Sequence, residues 1–212
     1  TASTTSAKCS ELTTNEQIRK NMKLLFFDLE TTGTNPARHG IHQISGIVEI
    51  DGVEQERFDF KVRPNPKAEI LDEALAVGGV TREEIDAYPP MEDVYCKLVA
   101  LLSRYVNKYN KADKFFLVGY NNASFDNQFL RGFFLQNGDN YFGSWFWSNS
   151  VDVMVLASQY LLAERPLMPN FKLSTVAAQL GVVVAEDKLH DALYDVDLTR
   201  DAYHVMIDGC DE

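Results

Sequence analysis

The sequence predicts one α/β domain built on a mixed sheet. Three extended segments come first, joined by tight connections. Strands and helices then alternate. No repeat, low-complexity tract or long linker divides the 212 residues.

The elements follow in order. Residues 1–21 are polar and read as an N-terminal extension or a cloning remnant, with a helical turn or two over 11–20; residues 22–212 read as the single folded domain. Lys23–Glu30 is the first strand, because Leu24–Phe27 is a compact apolar run suited to burial on both faces. Gln43–Asp51 and Glu54–Val62 are two more strands, joined by the hairpin signal Asp51-Gly52. A short helix over Ile70–Val77 is broken by Gly78-Gly79. Thr81 and Glu84 have capping-box spacing. A longer helix runs from Glu92 to Tyr109, with Val94, Leu98, Leu101, Leu102 and Tyr105 on one stripe. Lys114–Gly119 is a fourth strand. Ser124 is placed to cap a helix ending at Gln136, with a stripe of Phe129, Leu130, Phe133 and Phe134. Tyr141, Phe142, Trp145, Phe146 and Trp147 read as core in preference to a base-stacking platform. Val151–Leu162 is a short strand entering a helix, with Asp152 as its cap. Lys172–Leu180 is a helix closed by Gly181, Val182–Val184 is extended, and a last helix spans about Asp191 to Ile207.

Composition excludes several classes. No apolar run has the length of a membrane span. Cys9, Cys96 and Cys210 lack metal-ligand spacing, and this sparse, odd count points to a reducing, cytoplasmic setting. The net charge of −11 has the wrong sign for a protein that holds long duplex by counterion release. It is compatible with gripping a short strand end through bound cations.

The chemistry concentrates in carboxylates. Asp28 and Glu30 stand at i and i+2 at the end of the first strand, so both project to one side, beside a turn read at Gly33. Such a pair at a core edge is costly unless a cation neutralises it, and Mg²⁺ prefers oxygen ligands. Asp126 falls in the first turn of a helix whose apolar stripe faces the core, so its carboxylate points inward. His190 and Asp195 are five residues apart, about 140° around a helix, which places His190 in the preceding loop. His39 and His42 receive no role.

Asp28-x-Glu30, Asp126 after the Asn-rich turn, and His190-x₄-Asp195 resemble the three motifs of the DEDDh 3′→5′ exonucleases. That family includes the proofreading ε subunit of bacterial DNA polymerase III, ribonuclease T and oligoribonuclease. The resemblance covers roughly Lys23 to Ile207. It implies a ribonuclease-H-like fold, a mixed five-stranded sheet flanked by helices. It also implies two divalent cations, Mg²⁺ or Mn²⁺: Asp28 would bridge them, Glu30 and Asp195 would complete one site, and Asp126 would hold the other. His190 would be the general base, as imidazole titrates near neutrality. Thr31, Thr32, Gly33, Asn122 and Phe125 would bind the terminal nucleotide. The product would be a nucleoside 5′-monophosphate.

Two departures stand out. Gly119-Tyr120-Asn121-Asn122-Ala123-Ser124-Phe125-Asp126 has Asn where relatives often have His, with one extra residue after the glycine. Gly78 stands where many members carry His. Single-stranded DNA ends are the expected substrate. An RNA exonuclease is the alternative within the class, and a non-catalytic binding module the alternative outside it. A DNA polymerase is a candidate partner, although the short stretch after the last helix favours a stand-alone enzyme.

Overall fold

The structure, a computed structural model, describes residues 21–209. The expected turn over residues 11–20 lies outside that range. Five strands form one mixed sheet in the order β3-β2-β1-β4-β5: β1 (Lys23–Thr31), β2 (Ile41–Ile50), β3 (Val53–Lys61), β4 (Phe116–Gly119) and β5 (Val151–Asp152). The first three are antiparallel neighbours; β4 and β5 run parallel to β1. Asp51 and Gly52 both take positive φ, 54° and 80°, the geometry that suits a two-residue hairpin between right-twisted strands.

Alternation along β1 divides the molecule. Leu25, Phe27 and Leu29 face one core, with α3 (Met91–Tyr105), α4 (Asp126–Gln136) and the buried rings of Phe142, Trp145 and Phe146. Leu24 and Phe26 face the other, beneath α5 (Val153–Tyr160), α6 (Leu173–Gln179) and α7 (Ala192–Asp208). Two short helices, α1 (Asp72–Val77) and α2 (Arg82–Asp86), lie between β3 and α3; Thr81 and Glu84 form the expected capping box on α2.

Three expectations are corrected. The long helix ends at Tyr105, not Tyr109, because Val106 turns extended and buries itself while Asp113 accepts from the Asn107 N–H. Ser124 does not cap α4: its hydroxyl donates to Asn121 Oδ1 at 2.7 Å, and Phe125 occupies the cap position. Tyr141, read with its aromatic neighbours as core, is 73 % exposed.

The α7 face of the sheet is unusually polar at β2. Glu49 is only 1 % exposed, yet Arg200 Nε donates to it at 2.7 Å and His204 Nε2 lies 2.9 Å away. Burial alone would raise the Glu49 pKa; the bonds from His204 and Arg200 outweigh it and bring the value below the usual range. Arg200→Met leaves that carboxylate with a single partner. Urea denaturation should show a loss of about 2–3 kcal/mol, as expected for stripping one partner from a buried charge. An unchanged midpoint would remove Glu49–Arg200 as the clamp between β2 and α7.

Candidate active site

Asp28 and Glu30 continue the Leu24–Phe26 side of β1, so they emerge on the α7 face at the strand's C-terminal end. The register sets Ser45 beside Asp28 and Gln43 beside Glu30. Asp126 opens α4 and is 4 % exposed. The loop before it is pinned by Asp152, which caps α5 through the Met154 N–H and also accepts from the Asn121 N–H at 3.0 Å. Asn121 sits at φ 60°, a conformation that asparagine tolerates well. Asp195 lies in the first turn of α7, whose N-cap Asp191 accepts from Leu193 and Tyr194 N–H. His190 is exposed just before that cap, at φ 69°. An imidazole-bearing residue in the left-handed region costs about 1–2 kcal/mol, of the kind stored where a side chain must be aimed.

Four of the expected acids therefore share one region and feel each other's charge. Burial pushes the Asp28 carboxyl well up, and Asp126, Glu30 and Asp195 push it further. Glu30 rises to about 7 through burial, then Asp195 and Asp126, with Lys61 pulling the other way. Asp126 rises to about 7 chiefly through burial. Asp195 rises to about 6 through burial, and neighbouring His190 draws it down. His190 is thus adjacent to Asp195 although it occupies the loop.

The residues expected to meet the nucleotide fall into two groups. Thr31 and Thr32 build the turn. Thr31 Oγ1 donates to the Gly33 carbonyl at 2.9 Å, and buried Thr32 donates to the Glu69 carbonyl at 2.6 Å while accepting from the Gly40 N–H. Gly33 packs on His39, whose ring atoms lie 2.6 Å from where a Cβ would sit, so only glycine fits. His39 is itself fixed by the Asn35 N–H. Asn122 is fully buried, with Oδ1 unpartnered, and Phe125 lies partly buried against Phe129 at 5.0 Å between ring centroids. Gln43 and Lys61 were not expected; they line a cleft of about 570 Å³ with Gly78, Lys188, His190 and Tyr194. No sequence signal marked them, because only strand pairing brings them beside Glu30.

The donor set suits hard divalent cations: four carboxylates, and a buried Asp195 Oδ1 with no hydrogen-bond partner. The four carboxylates act on one another through like charge. Among the described residues no three His, Cys, Asp or Glu are gathered closely enough to form a finished metal cage. Their mutual repulsion is what a bound cation would relieve.

A family model described as "Exonuclease" matches residues 25–203. A DNA polymerase III subunit epsilon-like protein of Rhodobacter capsulatus is 31 % identical over 186 residues, covering 85 % of this chain and 23 % of that one. Exodeoxyribonuclease I of Buchnera aphidicola is 32 % identical over 141 residues, 62 % of this chain and 27 % of that relative. Among solved structures, a zinc-bound E. coli ExoI–ssDNA complex superposes with a TM-score of 0.70 at 23 % identity, over 90 % of this chain and 41 % of the other. The chain therefore spans about a quarter of these two relatives, and its fold matches 41 % of the ExoI chain. No helix among the described residues is long and apolar enough to cross a membrane.

Proposed function

Because the chain belongs to the exonuclease family, whose model spans residues 25–203, we propose that it is a divalent-metal-dependent 3′→5′ exonuclease acting on single-stranded DNA ends. The observation that carries this reading is the single acidic region in which Asp28, Glu30, Asp126 and Asp195 raise or share one another's field, with His190 at its edge. An acidic cluster of this kind is poorly tolerated by a purely structural site.

In this reading Asp28, Glu30, Asp126 and Asp195 hold two cations, Mg²⁺ or Mn²⁺. When bound, those ions supply positive charge against the phosphate oxygens as charge develops there. The protein's own part is positional. The Thr31–Gly33 turn, Asn122 and Phe125 seat the terminal nucleotide. His190 takes a proton from the attacking water as its oxygen bonds to phosphorus; the bond to the 3′-oxygen breaks, and that oxygen leaves with the electron pair and takes a proton from solvent water to become the new 3′-hydroxyl. The product is a nucleoside 5′-monophosphate. Residues 22–212 act as one catalytic domain. The ssDNA in the ExoI complex favours a DNA substrate, and the name of the Rhodobacter relative extends the reading to a polymerase partner. Sparse cysteines fit a cytoplasmic setting.

The test is product analysis on matched 5′-labelled DNA and RNA single strands with Mg²⁺ or Mn²⁺. DNA shortened stepwise from the 3′ end, with nucleoside 5′-monophosphates released, is the expected result. Preferential loss of the RNA would move the substrate to oligoribonucleotides. Binding without cleavage of either would leave only a binding module.

A further inference from the structure

Across the three antiparallel strands the register aligns Glu30, Gln43 and Lys61 in one row on the α7 face. The Lys61 charge acts on Glu30 against its acidic neighbours, and Lys61 lines the cleft shared with His190. Lys188 also lines the cleft but is exposed, while two further cations on this face are committed. Arg57 pairs with Glu54 at 2.9 Å and Asp197 at 3.3 Å, and Arg200 pairs with Glu49. The nearest acid in its own strand is committed too: Asp59 Oδ1 accepts from both Gln43 and Ser45 at 2.8 Å. Among the described residues no carboxylate lies within 4.0 Å of the Lys61 ammonium. A half-buried lysine that forms no ion pair and lines an open cleft with His190 has its ammonium available to an anion entering that cleft.

Building on the exonuclease reading, we infer that Lys61 contacts a backbone phosphate of the bound strand and positions that strand in the cleft. Lysine serves here as a point charge, so Arg can replace it and a neutral isostere cannot. A phosphate contact carries no base preference and adds to the salt dependence of binding.

Lys61→Met and Lys61→Arg separate this role from others. On a single-stranded oligonucleotide, Lys61→Met should raise KM about tenfold with kcat within about twofold, while Lys61→Arg stays near wild type in both. Affinity is then measured by fluorescence anisotropy of a 5′-labelled strand in the Asp28→Asn background across a NaCl series. Lys61→Met should flatten the slope of log affinity against log salt by about 0.7. A lower kcat with KM and slope unchanged would overturn the inference, because Lys61 would then act on the ionisation of Glu30. No change in any readout would also overturn it. If wild-type protein binds strands but cleaves none, the hydrolytic reading fails, and the salt slope still decides the role of Lys61.

Discussion

Asp28→Asn is expected to abolish hydrolysis while stabilising the metal-free protein. The activity loss should be about a thousandfold or more, equivalent to about 4 kcal/mol of barrier, because Asp28 sits at the centre of the acidic cluster and feels all three of its neighbours. The stability gain follows from the same crowding. Burial and like charges hold the folded-state pKa of Asp28 above its unfolded value near 3.9. A group shifted in that direction leaves stability intact below its unfolded pKa, and that stability drains away as pH rises through the folded value. Glu30 and Asp126, at about 7, and Asp195, at about 6, place the drain between about pH 4 and pH 7. Thermal melts in chelator at pH 8 should therefore show Asp28→Asn melting a few degrees above wild type, for about 1–2 kcal/mol gained. Added Mn²⁺ should raise the melting temperature of wild type much more than that of the variant. A variant less stable than wild type at pH 8 without metal would mean that Asp28 is a structural carboxylate.

His190→Asn should lower kcat by about 10²–10⁴, the usual contribution of a positioned general base. Asparagine is the informative replacement, because it tolerates the left-handed backbone that His190 adopts at φ 69°. KM and thermal stability should stay close to wild type, since the side chain is exposed before the α7 cap. The pH–rate profile should lose the limb set by the base. If kcat holds within a few-fold and the profile keeps its shape, another group takes the proton.

The sheet and the site differed in how far the chain alone disclosed them. The apolar run Leu24–Phe27 announced a buried strand, and its alternation placed Asp28 and Glu30 on one side. Both inferences use only local geometry, and both match the observed strand. Asp126 was legible for a similar reason: the stripe Phe129, Leu130, Phe133 and Phe134 is buried, which turns the first residue of the helix inward. The Ser124 cap was misread because Asn121 folds the loop back and captures that hydroxyl. Ser, Asn and Asp all compete for such bonds, and sequence does not rank the outcomes. The extra residue of this loop is accommodated with Asp152 holding the Asn121 N–H, an interaction 31 residues distant.

Long-range pairing hid the rest. Glu49 inside a strand looks exposed in a pattern of charges, but Arg200 and His204 reach it from 151 and 155 residues away. Lys61 gains its place beside Glu30 only through two successive strand registers, and registers depend on which faces the helices cover. His39 was passed over because its work is steric support under Gly33, a role that leaves no motif.

Calorimetric titration of Mn²⁺ into metal-free wild type and Asp28→Asn is the most direct test of the acidic region as a cation site. Wild type should bind the ion and release protons near pH 7, because carboxyls held partly protonated must ionise to coordinate it. The heat should therefore change with the ionisation enthalpy of the buffer, and Asp28→Asn should lose most of the binding. An absence of binding by wild type, or equal binding by both proteins, would contradict the account.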